Sequence, residues 1–98
     1  MRPWALDSDG RLSGSVTFDN LAEFRRAGEA LIRESGRGEV EFDCSGLEAA
    51  SSVAVALLIA WRRAAGACGK SVTFKGASLG LRNIAAFSGL GEILPLEA

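Results

Sequence analysis

Two adjacent hydroxyl side chains, Ser51 and Ser52, stand immediately before the most apolar stretch of the 98-residue sequence, residues 53–61. A serine at the start of a helix can cap it, because the side-chain oxygen accepts a hydrogen bond from an unpaired N–H group of the first turn. The same hydroxyl can contact a partner protein or accept a phosphate group. The residues themselves favour a capping role and leave a partner contact at Ser51 open, and one serine can serve both.

The other reactive side chains give little sign of catalysis. The sequence contains no His, which removes the commonest general base and metal ligand. Cys44 and Cys68 are expected to be small buried residues, since a disulfide is not expected in a reducing cytosol. Glu41 and Asp43 alternate along a strand and should share a solvated face, and no glycine-rich phosphate loop is present. We therefore predict no catalytic residue, no metal ligand and no cofactor, with a small enzyme or nucleotide-binding domain as the least favoured alternative.

Charge and hydropathy limit the possible partners and the location. The chain has 11 basic and 12 acidic side chains and a net charge of −1, too little positive charge to hold nucleic acid. Hydrophobic residues make up 48% of the sequence, enough for one core, so residues 1–98 are predicted to form a single domain. No apolar run approaches the roughly 18–20 residues of a membrane span. We expect a cytoplasmic protein that inserts into no membrane and reaches one only through a partner.

Hydrophobic periodicity predicts an opening hairpin and a first helix. Residues 4–6 and 12–16 alternate between apolar and polar side chains, and a turn sequence, Asp-Ser-Asp-Gly at 7–10, joins them. From residue 21 the period becomes helical, and Asp19 or Asn20 can cap the helix. Its predicted buried face carries Leu21, Phe24, Ala27, Gly28, Leu31 and Ile32.

Strands and helices then alternate along the chain. Residues 39–43 are typical of a short strand that the following Ser-Gly pair should break, and residues 71–75 of another. Between them residues 53–61 are apolar nearly all round, so this second helix must be covered on most sides. Residues 92–96 would suit an edge strand because they contain proline. Ser78 can cap a third helix, whose predicted buried stripe is Leu81, Ile84, Ala85 and Phe87.

This order of elements predicts an α/β fold. Strands that alternate with helices pair in parallel through crossover connections, and the opening hairpin adds an antiparallel pair. We expect a single domain with a mixed sheet of four to five strands, in which the N-terminal hairpin is followed by parallel strands. About three main helices should pack against this sheet.

The same order of elements resembles the STAS family, named after sulphate transporters and anti-sigma-factor antagonists. The resemblance covers nearly the whole chain and is carried by Phe-Asp-Cys-Ser at residues 42–45 and Ala-Ser-Ser-Val-Ala-Val-Ala-Leu-Leu at residues 50–58. It implies a STAS-like domain that binds another protein and catalyses nothing. Within the family, Leu-Leu-Ile-Ala-Trp-Arg-Arg at residues 57–63 is similar to the branch that serves phospholipid-trafficking ABC transporters.

The resemblance also implies a partner and a binding surface. The partner would be the ATPase subunit of the transporter, which would hold the protein in the cytoplasm, peripheral to the inner membrane. The alternative is an anti-sigma-factor antagonist switched by serine phosphorylation, with Ser51 as the possible phosphosite. Ala50 stands where those antagonists carry Asp, which favours constitutive binding. The expected partner-binding residues are Ser51, Ser52, Val53, Val55 and Trp61, the last because a large aromatic near a helix end suits an interface.

Overall fold

The computed structural model describes residues 4–48, 50–87, 89, 94, 96 and 97. Within them the chain forms four strands and three helices. The predicted hairpin, the three helices and the alternation that follows the hairpin are confirmed. In chain order the elements are β1 (Trp4–Leu6), β2 (Arg11–Gly14), α1 (Leu21–Glu34), β3 (Glu39–Leu47), α2 (Ser52–Ala67), β4 (Ser71–Lys75) and α3 (Leu79–Phe87).

The strands form one mixed sheet in the order β1-β2-β3-β4. β1 and β2 pair antiparallel, whereas β2 with β3 and β3 with β4 pair parallel, as the sequence predicts. The turn of the hairpin is held by Asp7, whose carboxylate accepts hydrogen bonds from the N–H groups of Asp9 (2.9 Å) and Arg11 (3.0 Å). Gly10 takes a φ of +87° in this turn, a left-handed conformation that other L-residues rarely adopt. The turn therefore fixes the antiparallel pair that opens the fold.

β3 is longer than the sequence suggests. We expect it to end near Asp43, because a Ser-Gly pair then breaks the alternation, but the strand continues to Leu47 and pairs there with Gly14 of β2. A Cβ atom on Gly46 would overlap the main chain of β2. The glycine that looks like a strand breaker thus allows the two strands to approach. As a result, Asp43 lies inside the strand rather than at its end.

The helices cover one face of the sheet, and within the described residues the other face is open. Along β3, Val40, Phe42 and Cys44 are buried, whereas Glu39 and Glu41, which alternate with them, are exposed. α2 packs against α1, α3 and β4, which confirms that this apolar helix is covered on most sides. Neither it nor any other helix of the described segments is long and apolar enough to span a membrane.

A row of aromatic rings joins the helices to the sheet. Phe42 stacks on Trp61 with ring centroids 4.5 Å apart and on Phe74 at 5.8 Å. Phe24 of α1 meets Trp61 edge-on at 6.0 Å and stacks on Trp4 at 4.5 Å. Such pairs each contribute about 0.5–1.5 kcal/mol beyond the burial of their surface. They therefore hold α1, α2 and the sheet in one core.

The C-terminal end of α1 is closed by a side chain from a distant part of the chain. The ammonium group of Lys70 donates hydrogen bonds to the carbonyl oxygens of Ile32 (2.7 Å), Arg33 (3.3 Å) and Ser35 (2.7 Å). The last carbonyl groups of a helix lack partners within the helix, and a cation there also complements the negative end of the helix dipole. Lys70 thus ties the end of α1 to the segment before β4.

Two residues that were predicted to be buried are exposed. Phe87, expected in the buried stripe of α3, is 95% exposed. It lies two residues beyond the buried Ala85, which places it on the opposite side of the helix. Cys68, expected to be buried, is exposed because it is the C-cap residue that follows the last turn of α2. Cys44 is buried, as predicted.

The C-terminal segment is described only in part. Of the residues expected to form an edge strand, 92, 93 and 95 lie outside the described residues. Leu96 forms an isolated parallel bridge with Phe74 of β4. The N–H of Glu97 donates to the carbonyl oxygen of Phe74 at 2.9 Å, and the carbonyl oxygen of Glu97 accepts from the N–H of Ala77 at 2.8 Å. These bonds cover part of the outer edge of β4.

Candidate functional site

Ser51 is the N-cap residue of α2. Its backbone is extended, with φ −153° and ψ 161°, and its Oγ accepts a hydrogen bond from the N–H of Ala54 at 3.1 Å. The hydroxyl thus satisfies one N–H group that the first turn leaves unpaired, which stabilises a helix by about 1 kcal/mol. Ser51 is half-buried, and Ser52 beside it is exposed. The predicted cap is confirmed, and the turn lies at the surface.

The strand topology places this turn beside two other loops. β2, β3 and β4 are parallel, so the segments that follow them all leave the sheet at the carboxyl ends of these strands. The turn before Ser51 touches the start of α3, since a Cβ on Gly80 would lie 3.1 Å from the Cβ of Ala50. Ligands of α/β sheets commonly bind at this side of the strands. We call this surface the carboxyl edge; it comprises residues 15–23, 48, 50–54 and 76–81.

Two large apolar side chains project from the carboxyl edge. Phe18, in the loop between β2 and α1, is 86% exposed, and Leu79, the first residue of α3, is 62% exposed. Neither residue is among those expected from the sequence to bind a partner. The signal that could have revealed Phe18 is its place between Thr17 and Asp19, in a polar loop just before a helix. Exposed apolar side chains that gather on one surface often mark an interaction site.

The five partner-binding residues expected from the sequence do not share one surface. Ser51 and Ser52 lie on the carboxyl edge, and Val53 beside them is half-buried. Val55 is buried, and Trp61 has no accessible surface at all. A side chain inside the core cannot contact a partner while the domain stays folded. Val55 and Trp61 are therefore corrected to core residues of α2.

Trp61 is buried because α1 provides a notch for it. Gly28 lies directly against the indole, and a Cβ atom there would overlap the ring. The indole Nε1–H donates to the carbonyl oxygen of Arg25 at 3.0 Å, and Phe42 stacks on the ring. A buried tryptophan usually needs a partner for its N–H group, and the α1 main chain supplies one. The indole thus anchors α2 to α1 within the domain.

The carboxylates of Glu41 and Asp43 lie on the open face of the sheet. Glu41 forms an ion pair with Lys75 at 3.0 Å, and this hydrogen-bonded contact raises the pKa of Lys75. Hydrogen bonds from the side chain and then the N–H of Ser45 lower the pKa of Asp43; the N–H bond is 2.9 Å long. No cluster of His, Cys, Asp or Glu suited to a metal ion occurs in the described part of the chain. These carboxylates have the partners of a solvated sheet surface, as predicted.

These features define a small two-layer α/β domain with a mixed four-stranded sheet and a capped serine turn at its carboxyl edge. A sequence model of the family described as "Mlab, STAS domain" matches residues 8–95. The chain therefore belongs to the STAS family, which confirms the resemblance seen in the sequence. The NMR structure of the protein TM1081 is similar in fold, with a TM-score of 0.67 and 12% sequence identity over 98% of this chain and 79% of that chain. No curated protein sequence matches the chain significantly.

Proposed function

We propose that this protein is a non-enzymatic STAS subunit that binds the ATPase of a phospholipid-trafficking ABC transporter and supports its assembly and activity. One observation carries the proposal: the Ser51 turn lies at the carboxyl edge together with the exposed side chains of Phe18 and Leu79. The match to the Mlab description supports the choice of partner. Docking on this ATPase would hold the protein in the cytoplasm, peripheral to the inner membrane.

The surroundings of Ser51 favour a fixed contact over a phosphorylation switch. Its Oγ already caps α2, and residues 15–23, 48–54 and 76–81 contain no Lys or Arg. A phosphate group would add nearly two negative charges close to Glu48, with no cation of this surface to pair with.

Calorimetric titration of the purified ATPase subunit with the full chain tests the proposal. We expect a saturable complex without added nucleotide, and a higher ATPase rate of the assembled transporter when this chain is present. Ser52→Arg should abolish binding, because it places a bulky charge on the carboxyl edge. Ser8→Arg is the matched control, since Ser8 is exposed in the hairpin turn between β1 and β2.

Two results would count against this function. If the wild-type chain and the ATPase form no complex, the ATPase is not the partner. If a serine kinase of an anti-sigma system modifies Ser51 and the modification releases a bound protein, the domain is a phosphorylation-switched antagonist.

A further inference from the structure

The carboxyl edge is acidic as well as apolar. Its three segments contain the carboxylates of Asp19, Glu23 and Glu48 and no Lys or Arg. All three carboxylates are exposed, and within the described residues none of them forms an ion pair. The whole chain has a net charge of only −1. Negative charge is therefore concentrated on the surface that also exposes the large apolar side chains.

Phe18 projects from a fixed loop. The N–H of Thr17 donates to Oδ1 of Asn20 at 2.8 Å, and Nδ2 of Asn20 donates to the carbonyl oxygen of Ser15 at 2.8 Å. Asn20 itself is buried, so this polar knot sits inside the fold. These bonds fix the main chain on both sides of Phe18, whose phenyl ring is exposed to water. A segment whose main chain is fixed before binding loses less entropy when it enters a partner.

Leu79 is presented in a comparable way. The Oγ of Ser78 accepts a hydrogen bond from the N–H of Leu81 at 3.1 Å, which caps α3 and fixes its first turn. Leu79 follows β4 and Phe18 follows β2, so two strand spacings, about 10 Å, separate the strands that carry them. The Ser51 turn, which follows β3, lies between the two. Two exposed apolar side chains thus lie on either side of a polar turn.

We infer that Phe18 and Leu79 are anchors that enter two apolar pockets of the partner, and that Lys and Arg side chains of the partner surround those pockets. The anchors rest on the proposed function, because they belong to the same carboxyl edge. Interfaces bury a few large apolar side chains at their centre, and complementary charge around them steers association. A second copy of this chain does not fit through the same surface, since its own carboxyl edge is acidic. An anionic lipid surface is repelled for the same reason.

The affinity of the purified ATPase for single-substitution variants tests the anchors. Phe18→Ser and Leu79→Ser should each raise Kd by about tenfold or more, as loss of a central interface side chain does. Phe87→Ser is the matched control, because Phe87 is as exposed as Phe18 but lies at the opposite end of α3. It should bind within about twofold of the wild type. Thermal melting of each variant confirms that the fold is kept, which the exposure of all three side chains predicts.

The basic surround is tested by charge and salt. Asp19→Lys and Glu48→Lys should each weaken binding by about threefold or more, and wild-type affinity should fall as salt rises. Glu34→Lys is the control, since Glu34 is exposed at the other end of α1. If the affinity depended neither on salt nor on the charge reversals at Asp19 and Glu48, the proposed basic side chains of the partner would be refuted. If Phe18→Ser and Leu79→Ser bound with the Kd of the wild type, the assignment of these residues as anchors would be refuted.

Photo-crosslinking separates a failure of the anchors from a failure of the proposed function. A photo-crosslinking amino acid is placed in living cells at position 18, 79 or 87 of the full chain. If the wild type does not bind the ATPase but positions 18 and 79 crosslink to another protein, that protein is purified and titrated with the same variants. The same order of affinities keeps the anchors and discards the ATPase. No crosslink at either position discards the anchors whatever the partner.

Discussion

Replacement of Gly28 in α1 by alanine should destabilise the protein, although this change usually stabilises a helix. Alanine exceeds glycine in helix propensity by about 1 kcal/mol at an interior position. At Gly28, however, the new methyl group would overlap the indole of Trp61. The ring cannot turn aside easily, because Phe42 stacks on it with centroids 4.5 Å apart and its N–H is bonded to the carbonyl oxygen of Arg25.

The size of the effect follows from two opposing contributions. Overpacking a close-packed core costs about 1–3 kcal/mol and occasionally more. An overlap with a fixed aromatic ring belongs at the upper end, about 3 kcal/mol, so a propensity gain of about 1 kcal/mol leaves a net loss of about 2 kcal/mol. In a domain of this size that loss lowers Tm by about 10 °C. Urea unfolding followed by circular dichroism measures the free energy of unfolding directly.

Two further variants make the result decisive. A Cβ on Gly66 of α2 meets nothing within 4 Å, so Gly66→Ala should stabilise the protein by about 0.5–1 kcal/mol. In a Trp61→Phe background the smaller ring vacates space, and Gly28→Ala should then cost at least about 1 kcal/mol less than in the wild type. If Gly28→Ala stabilised the protein as much as Gly66→Ala does, the notch would not constrain the core.

Three other expectations concern the end of α1, the thiols and the serine cap. Lys70→Met should lower the free energy of unfolding by about 2 kcal/mol, since a charged donor to three carbonyl groups is lost, and an unchanged urea midpoint would contradict this. Burial raises the pKa of Cys44 from 9.0 to about 12; the unfolded chain therefore loses this proton first, and stability should fall between pH 9.0 and about 12, with a slope that Cys44→Ala should reduce. At pH 8 mass spectrometry should find native protein alkylated at the exposed Cys68 and not at Cys44. Ser51→Ala should cost about 1 kcal/mol of stability, whereas Ser51→Asp should keep the cap and the urea midpoint of the wild type, and an equal loss in both variants would show that the side chain at position 51 does not act as a cap.

The order of the elements was predictable because local patterns determine it. The buried face of α1 is an example, since Phe24, Gly28 and Ile32 recur at helical spacing and all three are buried. The orientation of α2 was not predictable in the same way. A helix that is apolar nearly all round has no polar face to give its direction, so nothing local shows that Trp61 points inward. Its burial depends on a glycine notch in another helix.

In the candidate site, too, the residues with a local signal were predictable and those that depend on the tertiary fold were not. Ser51 was predictable, because a serine before an apolar helix is a local signal and the resemblance supports it. Phe18 and Leu79 were not predicted, because their importance depends on the parallel pairing that brings the loops after β2 and β4 to one side of the sheet. The wrong placement of Phe87 has a related cause. Apolar residues near a helix end fit a buried stripe by count, although a residue two positions after the buried Ala85 lies on the opposite side of the helix.

The contacts that complete α1 have a consequence for synthesis of the chain. The indole that fills the notch bonds to a carbonyl 36 residues earlier, and Lys70 lies 38 residues after Ile32. On the ribosome, α1 therefore emerges with an empty notch and an open C-terminal end. At about 5–20 residues per second, its completion waits about 2–8 s for the second half of the chain. During that interval the apolar face of α1 is available to chaperones, and a chain that stops before Trp61 should be cleared by proteases rather than persist as a folded fragment.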